Sequence, residues 1–201
     1  MTEITALYFN GLGDGTIGRS ETMIFTHLKK KGVNVIPAHV NWRSDEPFTS
    51  IFDKMTSKAK GLLKSSGSLA LVGASAGGSM AINVSKQLDD SNVQAVNLSG
   101  RLRRGTLPSW DPRKLDVSAH LGTDNASPSF YDSIIYCEDT TIPNLDKEDK
   151  DNITIVKPWM DFVVPLDTMT IEGCETIAVA GLWHQHGIGL GLLRLPGILI
   201  E

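Results

Sequence analysis

Cysteine is scarce in this chain: Cys137 and Cys174 are the two among 201 residues, far apart and without metal-ligand spacing. That excludes a disulfide framework and gives no zinc signature, so two buried or partly exposed thiols is the plain reading. Positive charge is not in excess either, with 19 Lys and Arg against 23 Asp and Glu, a net charge of -4 and a sequence pI near 5.7. Nucleic-acid binders concentrate Lys and Arg on one face, so nucleic acid is not an expected partner. No apolar run approaches the roughly 20 residues that span a bilayer. Residues 1–5 show no basic stretch followed by an apolar one, which leads to the expectation of a cytoplasmic protein without a membrane span. Internal repeats and low-complexity stretches are missing as well.

What is present suits one ordinary core. Hydrophobic residues make up 41% and charged residues 21% of the chain, and its length matches one domain over residues 1–201. Strand-like runs recur at residues 4–10, 33–40, 68–72, 93–98, 153–158 and 176–180. Helix-compatible stretches fall at 21–31, 48–64, 78–88 and 128–136. Alternation of this kind predicts βαβ units and a mostly parallel sheet of about six strands. Runs that are apolar throughout, such as Leu69-Ala70-Leu71-Val72, predict strands covered by helices on both faces. Residues 101–126, with Pro108 and Pro112, and the acidic stretch 140–152, with Pro143, read as surface connections.

The chemistry centres on Gly73-Ala74-Ser75-Ala76-Gly77, placed where a predicted strand hands over to a predicted helix. G-x-S-x-G at such a junction has the layout of a nucleophile elbow: the serine takes a strained turn that lifts its hydroxyl above the sheet, and the glycines keep strand and helix from colliding with it. A serine hydroxyl is a poor nucleophile at neutral pH and needs a base held by an acid. Asp161 follows the fifth strand in Trp159-Met160-Asp161-Phe162-Val163-Val164-Pro165, with Asp167 as competitor for the acid and as a candidate helix N-cap. His184 and His186 follow the sixth in Gly181-Leu182-Trp183-His184-Gln185-His186, and the sequence leaves open which imidazole faces Ser75.

At these residues the chain resembles the α/β-hydrolase superfamily, whose order is nucleophile, acid, histidine. Ser75, Asp161 and His184 match that order, and the resemblance reaches from the first strand to the final helix. It favours Asp161 as the acid and, from its spacing behind Gly181, His184 as the base, with His186 the alternative. It implies a small three-layer α/β fold without a cap domain, and acyl transfer on carboxylic esters or related small-molecule acyl substrates. No metal or organic cofactor is implied. The family's oxyanion loop commonly begins His-Gly, whereas this chain has Asn10-Gly11-Leu12, a departure that spares the role because the donor is backbone. Leu12 and Ala76 amides are the implied oxyanion pair. The alternative is a non-catalytic small-molecule-binding protein on the same fold.

Other motifs carry less. Gly13-Asp14-Gly15-Thr16-Ile17-Gly18 satisfies the dinucleotide-loop pattern, but the second strand does not end in the acidic residue that holds a ribose, so the glycines read as a flexible oxyanion loop. His27 reads as a helix surface residue, and His39 as the end of a strand packed on Trp42. His120 has no stronger case. Arg101, Arg103 and Arg104 read either as a solvated loop face or as a border of the site that attracts an acidic group.

Overall fold

The computed structural model describes residues 3–105 and 128–199. Six strands follow one another as β1 (Ile4–Phe9), β2 (Val33–Pro37), β3 (Leu69–Ala74), β4 (Val93–Leu98), β5 (Ile153–Pro158) and β6 (Glu175–Val179). They form one sheet in the order β2-β1-β3-β4-β5-β6, every neighbouring pair parallel. Parallel neighbours need long crossovers. These carry the helices α1 (Arg19–Lys30), α2 (Phe48–Ser66), α3 (Gly77–Leu88), α4 (Pro128–Tyr136) and α5 (Lys147–Asp151), and α6 (His184–Leu199) closes the chain.

Period-two alternation along the strands divides the apolar residues between two layers. Leu7, Phe9, Leu69 and Leu71 face α2, α3 and α4, where they meet Phe48, Phe52, Met80 and Phe130. Ala6, Tyr8, Ala70, Val72 and Val156 face α1 and α6, where they meet Leu28, Leu192 and Leu195. β3 lies near the middle of the sheet, and all six of its residues are buried. This is the three-layer α/β arrangement that the strand pattern predicts.

The expected strands lie within a few residues of the observed ones, but β2 stops at Pro37 instead of reaching Val40. Residues 140–152 differ more from expectation. They are not a bare surface connection: α4 runs on through a π-helical turn, Cys137–Thr141, and a 3-10 turn, Ile142–Asn144, and the stretch then forms α5. Asp146 caps α5 by accepting the Asp149 amide, while the Asp149 side chain returns the bond to the Asp146 amide. Thr141 and Leu145 are buried. The expected cap-free connection after Leu98, the prolines at 108 and 112 and His120 all involve residues 106–127, which lie outside the described residues.

Candidate active site

β3 ends at Ala74, and Ser75 turns the chain with φ +50°, a left-handed conformation that costs a side-chain-bearing residue about 1 kcal/mol or more. The turn is held by Ser75 N–H donating to Leu98 O at 3.0 Å and by Gly78 N–H donating to Ser75 O at 3.0 Å. Glycine is required here by space: a Cβ on Gly77 would run into the Phe9 carbonyl of β1, and one on Gly73 into the Gly77 carbonyl. α3 can therefore start immediately above the sheet. Its seat is polar and buried: Ser79 Oγ lies 2.8 Å from Ser133 Oγ, Asn83 donates to Ser133 O at 3.0 Å, and Thr141 donates to Asn83 Oδ1 at 2.7 Å.

Asp161 stands three residues past β5, its side chain fully buried. One oxygen accepts the amides of Val163 at 2.8 Å and Val164 at 2.9 Å, which fixes the carboxylate. The other lies 2.6 Å from His184 Nδ1, and His184 Nε2 lies 2.7 Å from Ser75 Oγ. A carboxylate can only accept, so Nδ1 carries the proton and Nε2 is left to accept from the serine. His184 opens α6 because Gly181 and Gly187 let the turn close onto Pro158, where a Cβ on either glycine would crowd its neighbours.

The structure thus brings Ser75, His184 and Asp161 into one hydrogen-bonded chain and leaves the rivals aside. His186 is exposed, two residues round the helix and hence about 200° from His184. Asp167 is exposed in the 3-10 turn Leu166–Thr168 rather than capping a helix, and Pro165 takes the cap position. His27 is exposed on α1.

Asn10 replaces the expected histidine with a two-sided clamp. Its amide nitrogen donates to Val40 O at 2.9 Å and to Gly11 O at 2.9 Å, while its oxygen accepts Val40 N–H at 2.8 Å. Buried Trp42 reinforces it, with the indole N–H donating to Asn10 O at 3.1 Å and the backbone N–H to Gly13 O at 2.9 Å. His39 is neither the end of a strand nor a packing residue. It stands beyond β2 with φ +60°, its Nδ1 2.9 Å from Gly15 O. The glycine loop after β1 is therefore tied down at the carbonyls of Asn10, Gly11, Gly13 and Gly15, and Gly15, at φ +89°, has no room for a Cβ against the His39 backbone. Among the described residues, the Leu12 and Ala76 amides have no protein acceptor.

Asn97 of β4 was not singled out in the sequence. Fully buried, it donates to Gly100 O at 3.0 Å and Met169 O at 3.1 Å and accepts Gly100 N–H at 3.0 Å, so it ties the strand's exit to the segment beyond Asp161. Nothing in its local sequence announces this, since its partners are set by the fold.

A cavity of about 720 Å³ opens over Ser75 and His184, walled by Leu12, Phe130 and Val163 with Arg43 and Arg101 at its sides. The two loops that carry Asp161 and His184 expose Trp159, Met160, Phe162, Leu182 and Trp183, and the rings of Phe162 and Trp183 are 5.9 Å apart. No described helix is long and apolar enough to cross a membrane. Beneath the cavity, Tyr8 donates to Glu21 at 2.7 Å, and burial first, then the Glu21 charge, pushes its phenol well above the usual range.

No protein-family model and no curated protein sequence matches the chain. Solved structures do. A structure of the metagenome-derived lipolytic enzymes LipS and LipT shares 13% identity at a TM-score of 0.67, over 98% of this chain and 93% of that one. Est1E from Butyrivibrio proteoclasticus, with ferulic acid bound, shares 14% at a TM-score of 0.64, over 98% and 88%. An alpha/beta hydrolase superfamily protein from Enterococcus faecalis shares 16% at a TM-score of 0.55, over 98% and 90%. With near-complete coverage in all three, and the six-stranded parallel sheet flanked by helices on both faces, the chain has the α/β-hydrolase fold.

Proposed function

We propose that this protein is a serine hydrolase of carboxylic esters that works through an acyl-enzyme on Ser75. The observation that carries the proposal is the unbroken chain Ser75 Oγ, His184 Nε2, His184 Nδ1, Asp161 Oδ2, with links of 2.7 and 2.6 Å. Lipolytic enzymes and a lipase-esterase related protein among the structural neighbours support the choice of ester as substrate.

In this reading Ser75 Oγ attacks the ester carbonyl carbon as its proton passes to His184 Nε2. Asp161 holds the ring and stabilises the imidazolium. The oxygen of the tetrahedral intermediate takes up negative charge and is met by the amides of Leu12 and Ala76, where one such donor is worth on the order of 3 kcal/mol. Collapse expels the alkoxide, which takes the proton from Nε2. Water then repeats the sequence on the acyl-enzyme and frees the acid and Ser75. The strained serine and the clamped glycine loop put attacker and amides in place before substrate arrives, so little reorganisation is left for the reaction itself.

Intact-mass spectrometry after fluorophosphonate treatment tests the proposal on wild type, Ser75→Ala, His184→Ala and His186→Ala. One adduct is expected on wild type and on His186→Ala, and none on the other two. A folded wild type that takes no adduct would refute the proposal and favour a ligand-binding protein on this fold.

A further inference from the structure

The three arginines that follow β4 are used in three different ways. Arg104 is neutralised, its guanidinium paired with Glu138 at 2.7 Å and with Asp139. Arg103 donates to the Asp167 carbonyl, which holds it on the segment behind Asp161. Arg101 is half-buried and lines the cavity over Ser75. Its Nε donates to Arg103 O at 3.0 Å and one terminal nitrogen to Arg104 O. Both partners are neutral carbonyls, no described carboxylate forms an ion pair with it, and its second terminal nitrogen has no described protein acceptor.

The cavity is electrically lopsided. Sheet order places β1 on one side of Ser75 and β4 on the other. Asp14 and Glu21 line the β1 side, the first bonded to Thr16 and the second to Tyr8 and the Gly18 amide. Exposed Arg43 lies on that side too, close enough to Asp14 to share in lowering its pKa. On the β4 side the cation among the described lining residues is Arg101, and burial lowers its pKa against smaller opposing pulls from Tyr131, Asp167 and Glu138. A guanidinium taken out of water without a carboxylate gains most from an anion that arrives later, and its planar fork suits a carboxylate.

We propose that Arg101 anchors a carboxylate of the substrate on the β4 side of Ser75, so that the preferred esters carry a free acid group beside the scissile bond. The assignment rests on the reading of Ser75 as nucleophile and names the substrate class for that same site. No described carboxylate has to be displaced, because the substrate itself supplies the counter-ion. Neutral esters of the same size fill the cavity but leave the guanidinium unpaired.

The test has two chemical arms and one arm free of turnover. Mono(4-nitrophenyl) glutarate against 4-nitrophenyl valerate places the acid on the acyl half, while 4-acetoxybenzoate against its methyl ester places it on the leaving group. In one arm the acidic ester is expected to have a kcat/KM at least ~10-fold higher, as one charge-assisted hydrogen bond provides. That ratio should fall towards 1 in Arg101→Met, fall part-way in Arg101→Lys and survive in Arg104→Gln, each checked for folding by circular dichroism. Independently, calorimetric binding of glutarate to Ser75→Ala should be lost in Ser75→Ala/Arg101→Met. Binding that depends on Arg101 supports the anchor even if Ser75 proves unreactive, which separates this inference from the proposed chemistry. Equal ratios in wild type and Arg101→Met, with glutarate binding absent or indifferent to Arg101, overturn it. A loss shared equally by Arg104→Gln also overturns it, because the preference would then belong to the cluster's general field.

Discussion

Replacing Asn10 by alanine is expected to damage stability and turnover together, and the size of each effect follows from its partners. The side chain is 4% exposed and satisfies both the N–H and the C=O of Val40, itself 1% exposed, as well as the Gly11 carbonyl. Gly11 is only half-buried and can be rehydrated, so two buried groups are left unpaired at about 1–3 kcal/mol each. A total near 3–4 kcal/mol corresponds, for a chain of this size, to a melting-temperature fall of roughly 6–15 °C. The same bonds hold the loop that presents the Leu12 amide two residues later. On the proposed mechanism, letting that amide drift out of reach removes about 3 kcal/mol of transition-state stabilisation, roughly a 100-fold loss in kcat with KM little changed. Thermal melts and steady-state kinetics on 4-nitrophenyl acetate, run well below the variant's melting temperature, measure both quantities. A melting shift under about 2 °C together with kcat within about threefold of wild type would refute the clamp argument. Asn10→Asp sharpens the test, since it keeps the acceptor for Val40 N–H but aims a buried carboxylate at Val40 O. Burial and that carbonyl should raise its pKa. The protonated form can donate again, so the defect should ease as the pH falls towards about 4.

Two other outcomes follow from the geometry. Gly77→Ala would push a methyl group into the Phe9 carbonyl and should abolish activity and destabilise the fold, whereas Gly61→Ala, in α2 with open space around it, should stabilise by about 0.5–1 kcal/mol in urea titrations; the reverse order would mean that the elbow is not held by space. Stability should also decline above about pH 8, because Tyr8 and Cys137 are pushed up mainly by burial and Cys174 rises, also mainly by burial, from 9.0 to about 11. Unfolded, these groups ionise near their ordinary values, so in this window the folded state holds more protons and each rise in pH favours unfolding. Urea midpoints should therefore fall between about pH 8 and 10.5, less steeply in Tyr8→Phe, and a flat profile would contradict the burial argument.

Much of this was legible in the sequence because it is written locally. The apolar runs found β3 and β4, and the serine, acid and histidine each follow such a run by a few residues, so strand ends alone place them on one edge of a parallel sheet. The choice of His184 over His186 rested on the family resemblance alone, because helical geometry allows one of them to face Ser75 without saying which. The clamp on the glycine loop was missed for a different reason: Asn10 and Val40 lie 30 residues apart, and a backbone amide pair accepts any side chain of the right shape. Read locally, those glycines suggested looseness; in three dimensions they permit close approach. Asn97 is similar, with Met169 as a partner 72 residues away. In residues 140–152 the acidic surface of α5 concealed buried Thr141 and Leu145, and the reciprocal Asp146–Asp149 cap was the available signal.

The sheet order also has a consequence for how the protein comes into being on the ribosome. The serine directly follows the third strand of the sequence, but the two groups that would activate it come after the last two strands, at positions 161 and 184. A nascent chain can assemble β1, β2 and β3 and bend its serine while more than a hundred residues are still to be made. Until the final helix has left the exit tunnel and packed on the sheet, that serine has no base beside it. On the proposed mechanism, products that stop before α6 would carry Ser75 without its base and stay chemically silent.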